Sequence, residues 1–486
     1  MLIILLLLCV MLWSIFLFNY ISSRGLTVLL VWLVIGPIAP NLLPSDKANP
    51  FFQTPAEYES RREGLRLLKR NFSNTGMFGG ESDSVELRQL LEPTRTLLLT
   101  FMLVFLLEAL VKRRVLGPLD RTEVWMIAFF ISLLMSIFLQ SARFNFSMRI
   151  ALNAFMVPFL AYFVMRRLVR HEMHFRRLIQ AIGYLVAYLI VIGLAERLSH
   201  PALLYRLGGP FRDEGVYYMV LIVGFLLTLT EALSHDASRR VQPILPSWLK
   251  WCLVCCTPIV ILLTMERGNW VGFLSGTWLL GILGHRLVGE SRRIVTIGLI
   301  CTLIPIAIIS TQMLTPEEIV EGRVGYSKSI QGRLLTWQVA IQDGLKQPLL
   351  GIGFNNLRDV LAQNIIESDD GVRSYLSTHN SYIAFLVEQG IVGLFLFLAI
   401  LFSILQMGIK LYRKGRQPQD RWRGVVTIAI LAAYMVPSLF ASKLHTPNPW
   451  NTILIFSFFG GVSGLYSRSR GYYVRRYAVP VSSTSA

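Results

Sequence analysis

The chain has 486 residues, of which 53% are hydrophobic and only 16% charged, with a net charge of +18 and five cysteines. A soluble globular protein carries about 25% charged residues, so composition excludes that class, along with disordered chains and disulfide scaffolds. A polytopic membrane protein remains, and the basic excess is read by its position along the chain rather than as a nucleic-acid footprint.

Apolar runs near the roughly 20 residues that cross a bilayer predict spans at 2–19, 26–43, 96–111, 124–140, 150–165, 178–196, 215–231, 249–265, 269–285, 294–313, 391–409, 425–442 and 452–467. The expected fold is therefore all-α and polytopic, with about 12–13 transmembrane helices and a large helical extracytoplasmic loop. Of the 47 Lys and Arg residues, 26 fall on one set of alternate segments and 7 on the short loops of the other, while 14 lie in two long loops. By the positive-inside rule the 26 are cytoplasmic, which puts the C-terminus inside and both long loops outside. The N-terminus then lies outside, unless the second span, interrupted by Gly36, Pro37 and Pro40, is re-entrant.

Five regions follow: N-terminal anchor spans at 1–43, an outside loop at 44–95, a helix bundle at 96–313, a large outside loop at 314–390, and C-terminal spans with a basic cytoplasmic tail at 391–486. Residues 1–19 lack a basic n-region and a small-residue cleavage site, so they read as a retained anchor. In the first loop Thr54, Pro55 and Glu57 start a charged surface helix.

The second loop carries more information. Ser329 caps a helix whose Arg333, Trp337, Ile341 and Leu345 share one face, and Pro348 stops it. Gly351 and Gly353 make a turn, and Asn355 or Asn356 caps a second short helix. Ser377 or Thr378 caps a third, with His379, Asn380, Ser381 and Tyr382 in its first turn and Gly390 separating it from the next span. A helix N-terminus disfavours an imidazolium, so His379 there is a candidate neutral base.

Arg267, in a short outside turn with Glu266 and Trp270, either anchors a helix end at the headgroups or holds a phosphate through paired hydrogen bonds. Arg143, Arg149, Arg206, Arg212 and Arg323 lie on the same side and share these alternatives. Glu367, Asp369 and Asp370 read as a solvated acidic turn, because nothing nearby completes a coordination shell. Cys252, Cys255 and Cys256 have metal-like spacing but lie within a span, where buried small apolar packing is the expected role. Gly460 and Gly464, four apart, predict close helix packing.

Taken together, Glu266-Arg267-Gly268, Gly332-Arg333 with Trp337, Pro348-Leu349-Leu350-Gly351-Ile352-Gly353, His379-Asn380-Ser381-Tyr382 and Glu388-Gln389-Gly390-Ile391-Val392-Gly393 resemble the bacterial O-antigen ligase and O-antigen polymerase family over about 255–410. The resemblance implies a metal-independent, inverting glycosyltransferase of the bacterial inner (plasma) membrane, with an extracytoplasmic active site and no cofactor. It would move a glycan from an undecaprenyl-pyrophosphate donor to an acceptor hydroxyl on a glycan or lipid, such as lipid A core. It also implies that Arg267 and Arg333 hold the pyrophosphate, that His379 is the base, and that Asn380 and Tyr382 contact substrate. Arg206, Gly209, Phe211 and Arg212 resemble the family's Arg/Gly loop, but Arg212-Asp213-Glu214 stands where Asn-Pro-Asn is expected, which weakens the assignment of Arg212.

A ligase and a repeat-unit polymerase share this donor chemistry and differ in acceptor, so both remain open. A polysaccharide or lipid-glycan transporter is the competing class. It would require ionisable groups at the bilayer midplane, whereas Glu108 and Glu196 both lie near helix ends.

Overall fold

The computed structural model describes residues 26–27, 29–31, 118–169, 171–199, 207, 214–235, 244–264, 267–287, 331–364, 377–440 and 450–469. The spans predicted at 2–19, 96–111 and 294–313, the 44–95 loop, and Ser329, Glu266, Arg206, Arg212, Arg323, Glu367, Asp369 and Asp370 lie outside the described residues.

The described residues form helices joined by turns. In chain order they are α1 (Arg121–Gln140), α2 (Phe144–Ala151), a π-type turn at Leu152–Met156, α3 (Val157–Leu168), α4 (Glu172–Ser199), α5 (Glu214–His235), α6 (Ser247–Leu263) and α7 (Arg267–His285). Then come α8 (331–344), α9 (Leu357–Gln363), α10 (Ser381–Lys414), α11 (Pro418–Met435) and α12 (Trp450–Ser469). Six stretches are long and apolar enough to cross a bilayer: Arg121–Gln140, Phe144–Leu168, Glu172–Ser199, Gly215–Leu233, Ser381–Lys414 and Pro418–Leu439. The chain is an all-α polytopic membrane protein. Its exposed side chains include Ile131, Phe138, Val191, Trp278, Phe395 and Phe402, apolar groups suited to lipid.

Every residue from Gly215 to Leu233 is buried, which makes α5 the central helix. Around it, small residues set the approach of neighbours. A Cβ on Gly460 or Gly464 of α12 would lie 2.3 Å from the Tyr162 carbonyl oxygen or 2.5 Å from that of Arg166 on α3, so this pair packs backbone to backbone as the glycine spacing predicts. On α7, Gly272 faces Pro437 and Gly276 faces Ala433, which fixes the antiparallel register of α7 against α11.

One end of the bundle is tied by charge. Asp120 and Glu123 form a capping box at the start of α1. The Asp120 carboxylate also accepts from Tyr162 (2.8 Å) and Ser463 (2.7 Å) and pairs with Arg166 at 3.1 Å. Glu123 pairs with both Arg166 and Arg167, and Arg166 is only 5% exposed. Two carboxylates therefore face two guanidiniums, and four hydrogen-bonded charges of zero net sum can be buried where a lone one could not.

The three cysteines of α6 correct an expectation. Cys252 and Cys255 are exposed and Cys256 half-buried, because Leu249, Leu253, Val254, Thr257 and Ile261 supply the inward face. The outward face carries Trp248, Trp251 and Ile259 beside the thiols, and an uncharged thiol is apolar enough for that setting.

Candidate active site

At the other end of the bundle the 331–390 region builds a second, smaller core. Val339 and Ala340 of α8, Leu357 and Leu361 of α9, and Ala384 and Val387 of α10 pack together apart from the bundle interior. This outer core decides which way α8 faces. The buried side of α8 is Thr336, Val339, Ala340, Asp343 and Gly344, while Ile341 and Leu345 are exposed and Arg333 and Trp337 half-buried. The face shared by Arg333, Trp337, Ile341 and Leu345 is thus the partly open one, and the helix ends at 344 rather than running to Pro348.

Arg333 and Trp337 lie one turn apart on α8. The Trp337 indole N–H donates to the Thr378 carbonyl at 2.6 Å, which ties this face to the backbone next to His379. Arg333 reaches the Phe440 carbonyl with one NH1 hydrogen bond at 3.4 Å, and its Nε is buried without a hydrogen-bond partner. Among the described residues, most of the guanidinium fork is therefore uncommitted.

His379 is half-buried and adopts a left-handed backbone at φ 47°. It lies one residue outside the helix rather than in its first turn, because Asn380 is the better cap. The Asn380 Oδ1 accepts from the backbone N–H groups of Tyr382 (3.0 Å) and Ile383 (3.1 Å), which starts α10 at Ser381. His379 still sits at the positive end of that helix. The Tyr382 hydroxyl donates to the Met435 carbonyl at 3.0 Å. The Asn380 Oδ1 and the Tyr382 hydroxyl are thus engaged by the fold itself.

Arg267 is the first residue of α7, and its side chain lies outside the described atoms. The register of α7 on α11, with Gly276 at Ala433 and Gly272 at Pro437, sets the start of α7 beside the residues that follow Pro437. Phe440, whose carbonyl Arg333 touches, is among them. A Cβ on Gly268 would meet no described atom within 4 Å. Arg333 thus reaches Phe440, Tyr382 of the His379 turn reaches Met435, and the register of α7 runs its start toward the same end of α11.

The Gly-containing motifs serve the frame. Gly351, Gly353 and Gly390 have φ of 74°, 98° and 66°, a region that only glycine occupies at low cost. Gly390 breaks α10, and the freed backbone pairs with the loop: Ile352 N–H donates to Val387 O (2.9 Å), Gly353 N–H to Glu388 O (3.1 Å), and Ile391 N–H to Pro348 O (2.9 Å). Asn356 stands at the cap position of α9 without capping it. Its amide instead donates to the Gln140 carbonyl at 2.8 Å and accepts from Ala142 N–H at 3.3 Å, which staples the loop to the end of α1. Arg143 adds an ion pair with Asp359 of α9 at 3.1 Å.

Sequence reasoning quoted Glu388 only as part of a motif and gave Asn356 only a capping role. The available signal for Glu388 was an acidic residue inside an apolar run, where an ionisable group has to be accounted for.

Residues 251–398, which contain α7, α8, α9 and the broken part of α10, match the family model described as O-Antigen ligase. No curated protein matches the chain. The matched stretch holds Arg333, His379 and the Gly351, Gly353 and Gly390 frame, so this part of the multi-pass membrane protein is similar to the O-antigen ligase family.

Proposed function

We propose that the chain transfers a glycan from undecaprenyl pyrophosphate to an acceptor hydroxyl at the outer leaflet of the bacterial inner membrane, as an O-antigen ligase. The carrying observation is the 2.6 Å hydrogen bond from Trp337 to the Thr378 carbonyl, which holds the helix of Arg333 beside His379. In this reading the 314–390 region is the catalytic loop and lies outside the cytoplasm. Arg333 and Arg267 neutralise the pyrophosphate, and Arg333 is suited to it because its fork is largely uncommitted among the described residues.

The acceptor oxygen attacks the anomeric carbon from the face opposite the leaving group. The bond from that carbon to the pyrophosphate oxygen breaks, its electron pair leaves with the pyrophosphate, and the acceptor proton passes to a ring nitrogen of His379. Configuration inverts in this single displacement. The pyrophosphate leaves as a stabilised anion, so arginines supply what a metal would supply elsewhere and no general acid is required. A positioned base contributes about 10²- to 10⁴-fold. Asn380 and Tyr382 serve the site by fixing the start of α10 against α11.

Deleting the gene in its host tests the reading. A ligase predicts loss of long glycan from lipid A core, with the polymer retained on its lipid carrier. Core still capped at wild-type density contradicts it.

A further inference from the structure

We propose that Glu388 is the positioning residue of this site: a buried carboxylate that locks the 348–357 segment, and with it the outer core carrying Arg333 and His379, onto the broken helix α10. The proposal rests on the function proposed above.

Glu388 is 6% exposed, and no described cation forms an ion pair with it. Its carboxylate accepts from the backbone N–H of Leu357 at 3.3 Å. The side chain at the cap position of α9, Asn356, leaves this N–H to Glu388, because it is committed to Gln140, Ile352 and Ala142. The main chain of Glu388 adds two more ties: its carbonyl accepts from Gly353 N–H at 3.1 Å and from the Ser136 hydroxyl of α1 at 3.2 Å. Ser136 in turn accepts from Phe354 N–H at 3.1 Å. One residue thus joins α1, the Gly353 turn, α9 and α10.

Burying a carboxylate that has only neutral partners is costly, and leucine would fill the same place without that cost. What leucine cannot do is accept the Leu357 N–H. Losing that bond loosens α9 inside the outer core while the bundle core, which shares none of the outer core's side chains, stays packed. Arg333 and His379 sit on α8 and at the start of α10, the two elements that α9 packs against, so their separation is the quantity at risk. A misplacement of about 1 Å between reacting groups can cost on the order of 10²-fold in rate.

The test uses the full chain purified in detergent, with an undecaprenyl-pyrophosphate-linked glycan as donor and lipid A core as acceptor. Glu388→Leu should lower kcat at least about tenfold and leave the donor KM nearly unchanged, since the arginines still bind the pyrophosphate. Glu388→Gln keeps an acceptor oxygen of the same reach and should retain most of kcat with an unchanged pH profile. Glu388→Asp, which is shorter by one methylene, should fall between them and stands in if the leucine variant does not fold. Amide hydrogen exchange at Leu357 should be accelerated in the Leu and Asp variants and slow in wild type and Gln. Wild-type kcat with wild-type exchange in the Leu or Asp variant overturns the proposal. So does a Gln variant as inactive as Leu with slow exchange, which would make the charge, rather than the acceptor, the working feature. If wild type transfers no glycan, the functional reading fails, and the exchange measurement alone still decides whether Glu388 locks the loop.

Discussion

Arg333 and His379 illustrate what a residue carries by itself and what it receives from its neighbours. Both were legible as candidates, an arginine and a histidine in one loop, but their proximity was not, since it depends on a Trp337 hydrogen bond to a residue 41 positions away. Arg333→Ala should raise the donor KM and cut turnover by about 10²-fold or more, because phosphate charge is left uncompensated in a partly dry site. Arg333→Lys should recover only part of this, since an ammonium lacks the planar fork. Steady-state kinetics on the two variants checks both expectations. For His379 the proposed role as base fixes the sign of the pH effect: a base works unprotonated, so the rate falls as acid forms the imidazolium. His379→Gln, which keeps a hydrogen bond but cannot take a proton, should be inactive across pH 5 to 9. Full activity with an unchanged profile would reduce His379 to a structural role.

At the level of elements the sequence was informative where one chain segment determines its own shape. The apolar runs placed the described spans, Gly351 and Gly353 announced a turn, and Gly390 marked the break before the last part of α10. Reading failed where neighbours decide. On α8 the face through Arg333 and Trp337 was legible from its spacing, but the face that Leu357, Ala384 and Val387 bury, through Val339 and Ala340, was not. The start of α10 shifted because Asn380 outcompetes Ser377 and Thr378 for the free N–H groups. The Ser136 to Glu388 bond spans 252 residues, a separation that no local pattern reports. Gly390→Ala tests the break: it forces a side chain into φ 66° and brings its Cβ to 2.2 Å from the Leu349 carbonyl oxygen. We expect a loss of about 1–3 kcal/mol or more from strain alone, read as a lowered thermal midpoint. Gly281→Ala on α7, whose Cβ would meet no described atom within 4 Å, should be neutral or slightly stabilising in the same assay.

For the whole molecule, the two ends of the bundle differ in kind. One is closed by the Asp120, Glu123, Arg166 and Arg167 cluster, and the other carries the outer core and the Arg333 guanidinium, whose Nε has no hydrogen-bond partner among the described residues. Arg166→Ala should lower folded yield, by an amount on the order of 3–5 kcal/mol, without altering turnover per folded molecule, since it strips a partner from buried carboxylates far along the bundle from His379. In a cysteine-free background an impermeant thiol reagent should label a cysteine at the exposed position 363 in spheroplasts and spare one at 416; the reverse pattern would put the site in the cytoplasm. The most direct measurement supplies the purified full chain with an undecaprenyl-pyrophosphate-linked glycan and an acceptor, with EDTA present and no nucleotide. The account predicts transfer with release of undecaprenyl pyrophosphate by wild type and none by His379→Ala at equal folded yield, whereas transfer by His379→Ala at the wild-type rate, or none by wild type until a metal is added, would contradict it.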